Sequence, residues 1–481
     1  MFNAEELKKQ VDQDIEKNFS QYMEEARELV RQPSIASQNI GIHECAEMVA
    51  EHIRRLGSSD VRLVEYEEGS PVVYGSVRSK NPKAKTLIIY CLYDVQPPEP
   101  LEEWKVEPFG ADIVDLPGFG PSIVGRGITN SKGPLVASFK AIESMQRVMG
   151  DIPLNFVFVI EGEEEAGSVN LKRFVNEYAE ELSHADGVFL PGTREDENHK
   201  PKVLLGNKGM MYFELEVKGG EWGGPCSTDI HSMNGAWVEN PIWRLAWALN
   251  SMRSPDGKIL VDGFYDDVAP ISEVDAKFVE ELAKTFDEEM FKEALDVKKF
   301  KGTAHGKELL TQFLYSPTMN IPGVYGGYTG AGTKTIVPYR VRIKFDCRLV
   351  PNQDPDDILE KILAHLKKHG FEDISVVFAE GTYWSKTDPE NDLAEAAIRA
   401  MHGSGRKETE VWPLLPGTGP AYLFTIRPLH LPFVAYGLGH GARIHAPNEY
   451  LVIEGLKDNI KSDAAVFLEY IQIAADKGAI D

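Results

Sequence analysis

The sequence predicts an α/β protein in which a smaller α+β module is inserted into a larger one. Three observations support this class. Strand-like apolar runs alternate with amphipathic helical segments up to about residue 213, as in a sheet built from β-α-β units. The pattern then changes to strict apolar–polar alternation, which is typical of antiparallel strands with one solvated face. After about residue 382 the first pattern resumes.

In the first module, apolar residues recur every four positions from Ala4 to Arg31 and predict a long helix. Further helices are expected over Ile42–Leu56 and Lys132–Val148. The segments predicted to contain strands are VRLVEY, PVVYGSVRS, TLIIYCLYD and LNFVFVIEGEEEAGS. The last two run from a buried apolar stretch into acidic residues, and parallel sheets carry functional groups at such strand ends.

The second module is expected to have a β-α-β-β-α-β order. Its strands lie in YFELEVKGG, VRIKFDCRLV and ISVVFAE, its helices span Asn240–Met252 and Asp356–Lys368, and a charged helical insertion covers Ser272–Leu295. The first module then continues with a helix over Asn391–Met401, the strands VWPLL and PFVAYGL, and a final helix over Gly455–Ala475. We therefore expect a discontinuous domain of residues 1–213 and 382–481 around an inserted domain of residues 214–381.

Charge and composition exclude several classes of partner. The 481 residues carry 51 Lys and Arg against 75 Asp and Glu, a formal net charge of −24. Nucleic acids and anionic membranes would be repelled by this charge, so neither is expected as a partner. The N-terminal segment is charged, no long apolar run predicts a membrane span, and the 4 cysteines form no CxxC pair. These features predict a cytoplasmic protein with reduced thiols.

Four motifs contain most of the candidate functional residues: YCLYDVQP (90–97), GRGITNSKGP (125–134), EGEEEAGS (161–168) and GARIHAPNE (441–449). In this order they resemble the co-catalytic zinc metallopeptidases, the family of carnosinase, cytosolic dipeptidases, aminoacylase and succinyl-diaminopimelate desuccinylase. The dipeptidase and carnosinase branch is the most similar. The resemblance implies a zinc-peptidase-like catalytic domain, a mixed sheet between helices, with an inserted ferredoxin-like domain that serves as a lid and for homodimerisation.

The resemblance also implies roles for residues that match the family pattern. Glu164 matches the general base, and Asp94 matches a carboxylate that orients a metal-binding His. His231 matches a group that reaches into the partner's active site, and Arg348 matches an arginine that binds a substrate carboxylate. Further substrate contacts are expected from Asn320, Thr335, Gly417, Thr418 and Gly419. The expected ligand is a small carboxylate-bearing peptide or N-acyl amino acid.

The metal ligands implied by the family are only partly present. Glu165 and His445 match ligands, whereas Leu92 replaces a His, Asn130 replaces the bridging Asp, and Gly192 aligns with a later Asp. A catalytic zinc takes about three protein ligands. We therefore do not expect a complete two-zinc centre, and predict either no metal or one weakly bound zinc or manganese held by Glu165, His445 and Asn130.

Two arginines, Arg194 and Arg443, occur where the resemblance does not require them. Arg194 lies two residues after Gly192 and Arg443 two residues before His445, and residues i and i+2 of an extended segment share a face. Because a guanidinium is permanently charged and pairs well with carboxylates, Arg443 is predicted to neutralise Glu164 and Glu165.

These residues leave several functions open. The favoured one is an amide hydrolase that uses Glu164 as acid and base with single-metal or metal-independent chemistry. Because amide hydrolysis without two metals is difficult, an easier acid–base reaction on the same scaffold, that of a lyase, isomerase or transferase, is an alternative. A pseudo-peptidase that binds an amino-acid-like ligand without turnover, and an ordinary peptidase with an unrecognised ligand set, also stay open. Cys91 is predicted to be a small buried residue and not a nucleophile.

Overall fold

The computed structural model describes residues 2–480. Its α-helices are α1 (Ala4–Arg31), α2 (Ile42–Arg55), α3 (Gly133–Met149), α4 (Val169–Glu177), α5 (Ala179–Leu182), α6 (Pro241–Met252), α7 (Glu273–Thr285), α8 (Glu288–Ala294), α9 (Gly306–Tyr315), α10 (Pro355–Lys368), α11 (Asp392–His402), α12 (Tyr422–Thr425) and α13 (Ile453–Asp476). The principal predicted helices are found with ends that differ by few residues. For example, α1 has the predicted bounds, and Asn3 caps it by accepting a hydrogen bond from the Glu6 N–H at 3.2 Å.

The strands are β1 (Arg62–Val64), β2 (Val72–Val77), β3 (Lys85–Leu92), β4 (Asp112–Leu116), β5 (Gly120–Val124), β6 (Leu154–Glu161), β7 (Gly187–Pro191), β8 (Lys202–Leu204), β9 (Gly206–Asn207), β10 (Gly209–Lys218), β11 (Ile230–His231), β12 (Asn320–Gly326), β13 (Ile336–Val337), β14 (Arg340–Leu349), β15 (Ser375–Thr382), β16 (Ser385–Lys386), β17 (Glu410–Trp412), β18 (Phe433–Tyr436), β19 (Gly441–Ala442) and β20 (Tyr450–Val452). The α/β class predicted from the sequence is confirmed.

The chain forms two compact units. The first comprises the residues up to Gly206, Lys386–Pro413 and those from Leu423 onward, and the second comprises Asn207–Ser385 and Leu414–Tyr422. Within residues 2–480, no helix combines the length and apolar character needed to cross a membrane.

The first unit is organised around a mixed sheet with strand order β1-β2-β6-β3-β7-β18-β8-β17. Its central strands β6, β3, β7 and β18 run parallel to one another. Strand β3 is buried along most of its length, as expected for a parallel strand covered on both faces. Helices α1, α3 and α13 pack against one another beside this sheet, and a smaller antiparallel sheet has the order β19-β20-β5-β4. The central strands therefore bring their carboxyl ends to one edge.

The second unit contains an antiparallel sheet with the order β12-β14-β10-β15. Buried and partly exposed residues alternate along β10 and β14, so one face of the sheet packs in a core with α6 and α10. Phe213 and Phe345 stack within this core with ring centroids 4.8 Å apart. Between α6 and β12, helices α7 and α8 lie within the predicted charged insertion, and α9 follows it.

Candidate functional site

An acidic loop follows β6 at the carboxyl edge of the main sheet, and Asp94 holds it in place. Asp94 lies two residues beyond β3 and is completely buried. Its Oδ1 accepts the backbone N–H of Glu164 at 3.1 Å, and its Oδ2 accepts that of Glu165 at 3.0 Å. Burial raises the pKa of Asp94 well above its ordinary value. Asp94 thus fixes the backbone from which the two neighbouring glutamates project.

Three candidate metal-site residues meet at one carboxylate oxygen. Glu165 Oε1 accepts a hydrogen bond from Asn130 Nδ2 at 2.6 Å and lies 2.9 Å from His445 Nε2. Asn130 Nδ2 and His445 Nε2 are themselves 3.3 Å apart. The Glu165 side chain is 7% exposed and that of His445 is 51% exposed. The cluster therefore has a buried carboxylate on one side and a solvent-accessible imidazole on the other.

Glu164 lies beside this cluster with its carboxyl group free. Among the described residues, no side-chain hydrogen bond engages it, although its backbone is held by Asp94. Burial, followed by the negative charge of Glu165, raises the pKa of Glu164 to about 7, while His445 acts in the opposite direction. An unpaired carboxyl group in this range can both accept and donate a proton near neutrality.

Two residues that the sequence analysis did not select position the cluster. Gln96 Nε2 donates to Glu165 Oε2 at 2.8 Å. Glu449, only 1% exposed, accepts the backbone N–H groups of Gly127, Thr129 and Asn130 at 2.9–3.0 Å. Gln96 and Glu449 each lie within one of the four motifs, and this position is the sequence signal that could have identified them.

The remaining former ligand positions lie at the same edge. Leu92 ends β3 and is buried, and its carbonyl accepts the Ser131 hydroxyl hydrogen at 2.7 Å. Gly192 follows β7 and lies against the side chain of Arg194. Cys91 is completely buried, and burial raises the pKa of its thiol to about 12. Cys91 therefore remains a neutral thiol at physiological pH, in agreement with its predicted role as a small buried residue.

Arg443 does not reach the acidic loop. Its side chain is exposed and Nη1 donates to the Pro447 carbonyl at 3.2 Å. In the part of the chain that the structure describes, it forms no ion pair with Glu164 or Glu165. The prediction assumed an extended segment, but Arg443 and His445 have left-handed φ values of 63° and 61°. Side chains do not alternate regularly between faces through such a turn, so the predicted neutralisation is not seen.

Few side chains around Glu165 could ligate a metal ion. Across residues 2–480, no group of three or more His, Cys, Asp or Glu side chains is arranged to hold a metal ion. The Asn130 side chain directs its amide nitrogen towards Glu165 and His445, and an amide N–H is a donor that does not ligate metals.

In the second unit, Arg348 is brought together with two other predicted substrate-binding residues. Its Nη1 donates to Thr418 Oγ1 at 2.7 Å, and its Nε lies 3.4 Å from Asp346 Oδ1. Asn320 Nδ2 donates to the other Asp346 oxygen at 3.4 Å. Burial, and secondarily the charge of Arg348, lower the pKa of Lys208 to about 8. These contacts form a polar cluster on the sheet of this unit.

His231 and Thr335 are neighbours in a separate part of the second unit. His231 pairs with Ile336 in the short β11–β13 ladder, and the Ser232 N–H donates to the Thr335 carbonyl at 3.0 Å. His231 is exposed, and its Nδ1 accepts the Met233 N–H at 3.0 Å. Its Nε2 therefore remains available to a ligand. A side chain at Gly417 or Gly419 would meet open space, so these backbones are accessible.

Comparisons with known proteins agree with the family resemblance. Beta-Ala-His dipeptidase of Rattus norvegicus is 30% identical over 350 residues, covering 69% of this chain and 68% of that protein. Cys-Gly metallodipeptidase DUG1 of Candida albicans is 25% identical over 481 residues, covering 93% and 94%. The M20 family metallo-carboxypeptidase Sso-CP2 from Sulfolobus solfataricus has a crystal structure that matches with a TM-score of 0.82 and 34% identity over 93% of this chain and 99% of that one.

The sequence profile of peptidase family M20/M25/M40 matches residues 89–472. This range contains all four motifs, the whole of the second structural unit and most of the first. The motif-based prediction of the family is therefore confirmed, and the chain belongs to peptidase family M20/M25/M40.

Proposed function

We propose that this protein hydrolyses the amide bond of small carboxylate-bearing peptides or N-acyl amino acids. The family and the names of the relatives, Beta-Ala-His dipeptidase and Cys-Gly metallodipeptidase, support a dipeptidase-like activity on small peptides. The observation that carries the proposal is the free carboxyl group of Glu164, a residue whose backbone N–H is bound by Asp94 and which lies beside the Asn130–Glu165–His445 cluster.

Glu164 acts as the proton-transfer group in this proposal. It takes a proton from the attacking water as the water oxygen bonds to the carbonyl carbon. It then returns that proton to the amide nitrogen as the C–N bond breaks. Asp94 is a positioning residue, because it acts through the backbone of Glu164 and Glu165. In the second unit, Arg348 binds the ligand carboxylate with its fork-shaped guanidinium. Thr418 orients this guanidinium by accepting a hydrogen bond from Nη1.

Membership of this family implies a pair of divalent metal ions, and the residues present in this chain do not fit such a pair. Two metals would need more anionic or imidazole ligands than Glu165 and His445 supply. The amide of Asn130 is oriented as a hydrogen-bond donor to Glu165, which uses the nitrogen and not a ligating oxygen. We therefore propose that the protein holds no metal or a single, weakly bound zinc or manganese at Glu165 and His445.

A homodimer through the second unit is part of the proposal. Large apolar side chains are exposed there: Met233 is 76%, Trp237 82%, Trp243 64% and Trp247 51% exposed. Trp243 and Trp247 lie together, with ring centroids 6.5 Å apart, and exposed apolar patches are a mark of protein–protein contact sites. The exposed His231 lies next to Met233, so a partner packed on this surface would be near the imidazole. A cytoplasmic location is proposed from the free cysteines.

The first experiment measures hydrolysis and metal content together. The full chain is purified without chelators, its zinc and manganese are quantified, and β-alanyl-histidine, cysteinyl-glycine and N-acetyl amino acids are assayed with and without added metal. We expect hydrolysis that falls at least 10²-fold in Glu164→Gln, in line with the usual contribution of general acid–base catalysis. Glu180→Gln, at a glutamate on α5, is the matched control. Two tightly bound metals per chain would refute the metal proposal, and the absence of hydrolysis from every substrate would refute the proposed reaction.

A further inference from the structure

The guanidinium of Arg194 is a charged group without a partner at the edge that carries the acidic loop. The Arg194 N–H donates to the Gly437 carbonyl at 3.0 Å, and the Gly192 N–H donates to that of Tyr436 at 3.2 Å. These bonds place Arg194 just beyond the carboxyl ends of β7 and β18. In residues 2–480 its side chain makes no hydrogen bond or ion pair, and its Nε is buried.

The glycine at position 192 makes room for this guanidinium. A Cβ atom built on Gly192 would lie 3.0 Å from both Nε and Nη2 of Arg194 and 3.1 Å from its Cζ. Such distances are shorter than ordinary van der Waals contact, so a side chain at 192 would force the guanidinium to shift by a few tenths of an ångström. The Arg194 side chain thus folds back over residue 192 at the end of β7.

Arg194 and the Asn130 loop flank the same end of β3. Strand β7, which ends at Pro191 just before Gly192, pairs in parallel with β3, which ends at Leu92. At the end of β3, Cys91 Sγ lies 4.0 Å from the Ser131 carbonyl oxygen, and Ser131 is adjacent to Asn130. The positive charge therefore lies at the same strand end as the cluster that contains Glu165, yet pairs with none of the carboxylates there.

Arg194 is only partly exposed, and a charge with restricted access to water is unfavourable unless another group compensates it. Burial lowers the pKa of Arg194 to about 10, so the guanidinium is still protonated at neutral pH. Because the described residues supply no counter-charge, a negatively charged oxygen brought by a ligand would complete the pairing.

We propose that Arg194 binds the carbonyl oxygen of the scissile amide and the negative charge that develops on it. The inference rests on the proposed function. As the water oxygen bonds to the carbonyl carbon, the π electron pair moves to the carbonyl oxygen beside Arg194, while Glu164 takes the proton of the water. When the tetrahedral species collapses, the pair returns, the C–N bond breaks and Glu164 protonates the nitrogen. Arg194 stays protonated throughout and supplies preorganised electrostatic stabilisation.

The test uses a phosphinate dipeptide analogue, whose tetrahedral anionic phosphorus group replaces the peptide carbonyl. Binding to the full-length protein is measured by calorimetry, and peptide hydrolysis is measured in parallel. For Arg194→Met we expect kcat to fall about 10²–10³-fold, as when one oxyanion donor is removed, with KM little changed. Phosphinate affinity should fall by a similar factor. Arg54→Met, at a surface arginine of α2, should match the wild type.

A second variant guards against misfolding of Arg194→Met. Gly192→Ala keeps the arginine but introduces a Cβ atom that forces its guanidinium to shift, and it should weaken phosphinate binding by less than Arg194→Met does. Equal phosphinate binding by wild type and both folded variants would overturn the inference, even with peptide hydrolysis intact. A wild-type protein that binds no phosphinate would also overturn it. Conversely, binding that Arg194→Met abolishes in a protein without peptidase activity would support the anion site and refute only the proposed reaction.

Discussion

Replacing Glu449 by glutamine tests how a buried carboxylate holds the Asn130 loop. Glu449 Oε2 accepts Arg126 Nη1 at 3.0 Å and the Gly127 N–H at 2.9 Å, while Oε1 accepts the Thr129 and Asn130 N–H groups at 3.0 Å. Arg126 and Glu449 are each 1% exposed. The substitution keeps the side-chain size but replaces one of these two acceptor oxygens with an NH₂ group.

The expected loss of folding stability follows from the four hydrogen-bond donors that bind the Glu449 carboxylate. Whichever oxygen is replaced, two buried donors lose their acceptor, and each unsatisfied group costs about 1–3 kcal/mol. In addition, Arg126 keeps a buried charge without its counter-ion, and breaking a buried ion pair at one partner costs about 3–5 kcal/mol. These two estimates describe overlapping effects, so we expect the free energy of unfolding to fall by about 3–5 kcal/mol in Glu449→Gln.

Urea denaturation followed by tryptophan fluorescence measures this loss, because Trp104 packs against Arg126 with 5.3 Å between the guanidinium carbon and the ring centroid. Glu5→Gln is the matched control, since Glu5 pairs with Lys9 on the surface of α1, and it should leave the unfolding midpoint unchanged. A Glu449→Gln midpoint equal to that of the control would refute the argument that this ion pair and its hydrogen bonds hold the loop.

Three further outcomes are expected. Burial, and secondarily the charge of Lys140, lower the pKa of His52 to about 4, whereas the pKa of a His in the unfolded chain is about 6.5. Between these two pH values the unfolded state binds more protons, so stability to urea should fall as the pH falls from about 6.5 to about 4. The same pH dependence of stability in His52→Gln would contradict this. Arg348→Met should raise KM about tenfold or more with little change in kcat, as expected for a lost ligand contact, while Arg342→Met should have no effect on either constant. Light scattering should give a dimer for the wild type and for Met290→Lys but a monomer for Trp243→Lys, and a monomeric wild type would exclude the proposed dimer.

The architecture could be predicted from the sequence because the hydrophobic patterns that indicate helices and strands are local. The four-residue apolar repeat of α1, the continuous apolar run of β3 and the alternation along β10 each reflect which faces of an element are buried. The order of the four motifs identified the family without a structure. Helices and strands with weaker patterns, such as α9 and the β4–β5 hairpin, were not predicted from these signals.

The candidate site could be predicted from the sequence only in part. Sequence motifs selected Glu164, Glu165, His445 and Asn130, but did not reveal that the last three converge on one oxygen, because Glu165 and His445 are 280 positions apart. The contribution of Glu449 was also hidden, since its partners lie about 320 positions earlier. Contacts between distant segments are set by how the elements pack, which no local pattern encodes.

The two arginines separate what the sequence determined from what the tertiary structure decided. The sequence established that Arg194 and Arg443 stand near former ligand positions and that both are permanently charged. It did not determine where either guanidinium lies. The left-handed turn at Arg443 directs that side chain to the Pro447 carbonyl, whereas Gly192 gives Arg194 space to fold over the end of β7. Residue identity fixes charge, but backbone dihedral angles and the space left by neighbours decide which group that charge can reach.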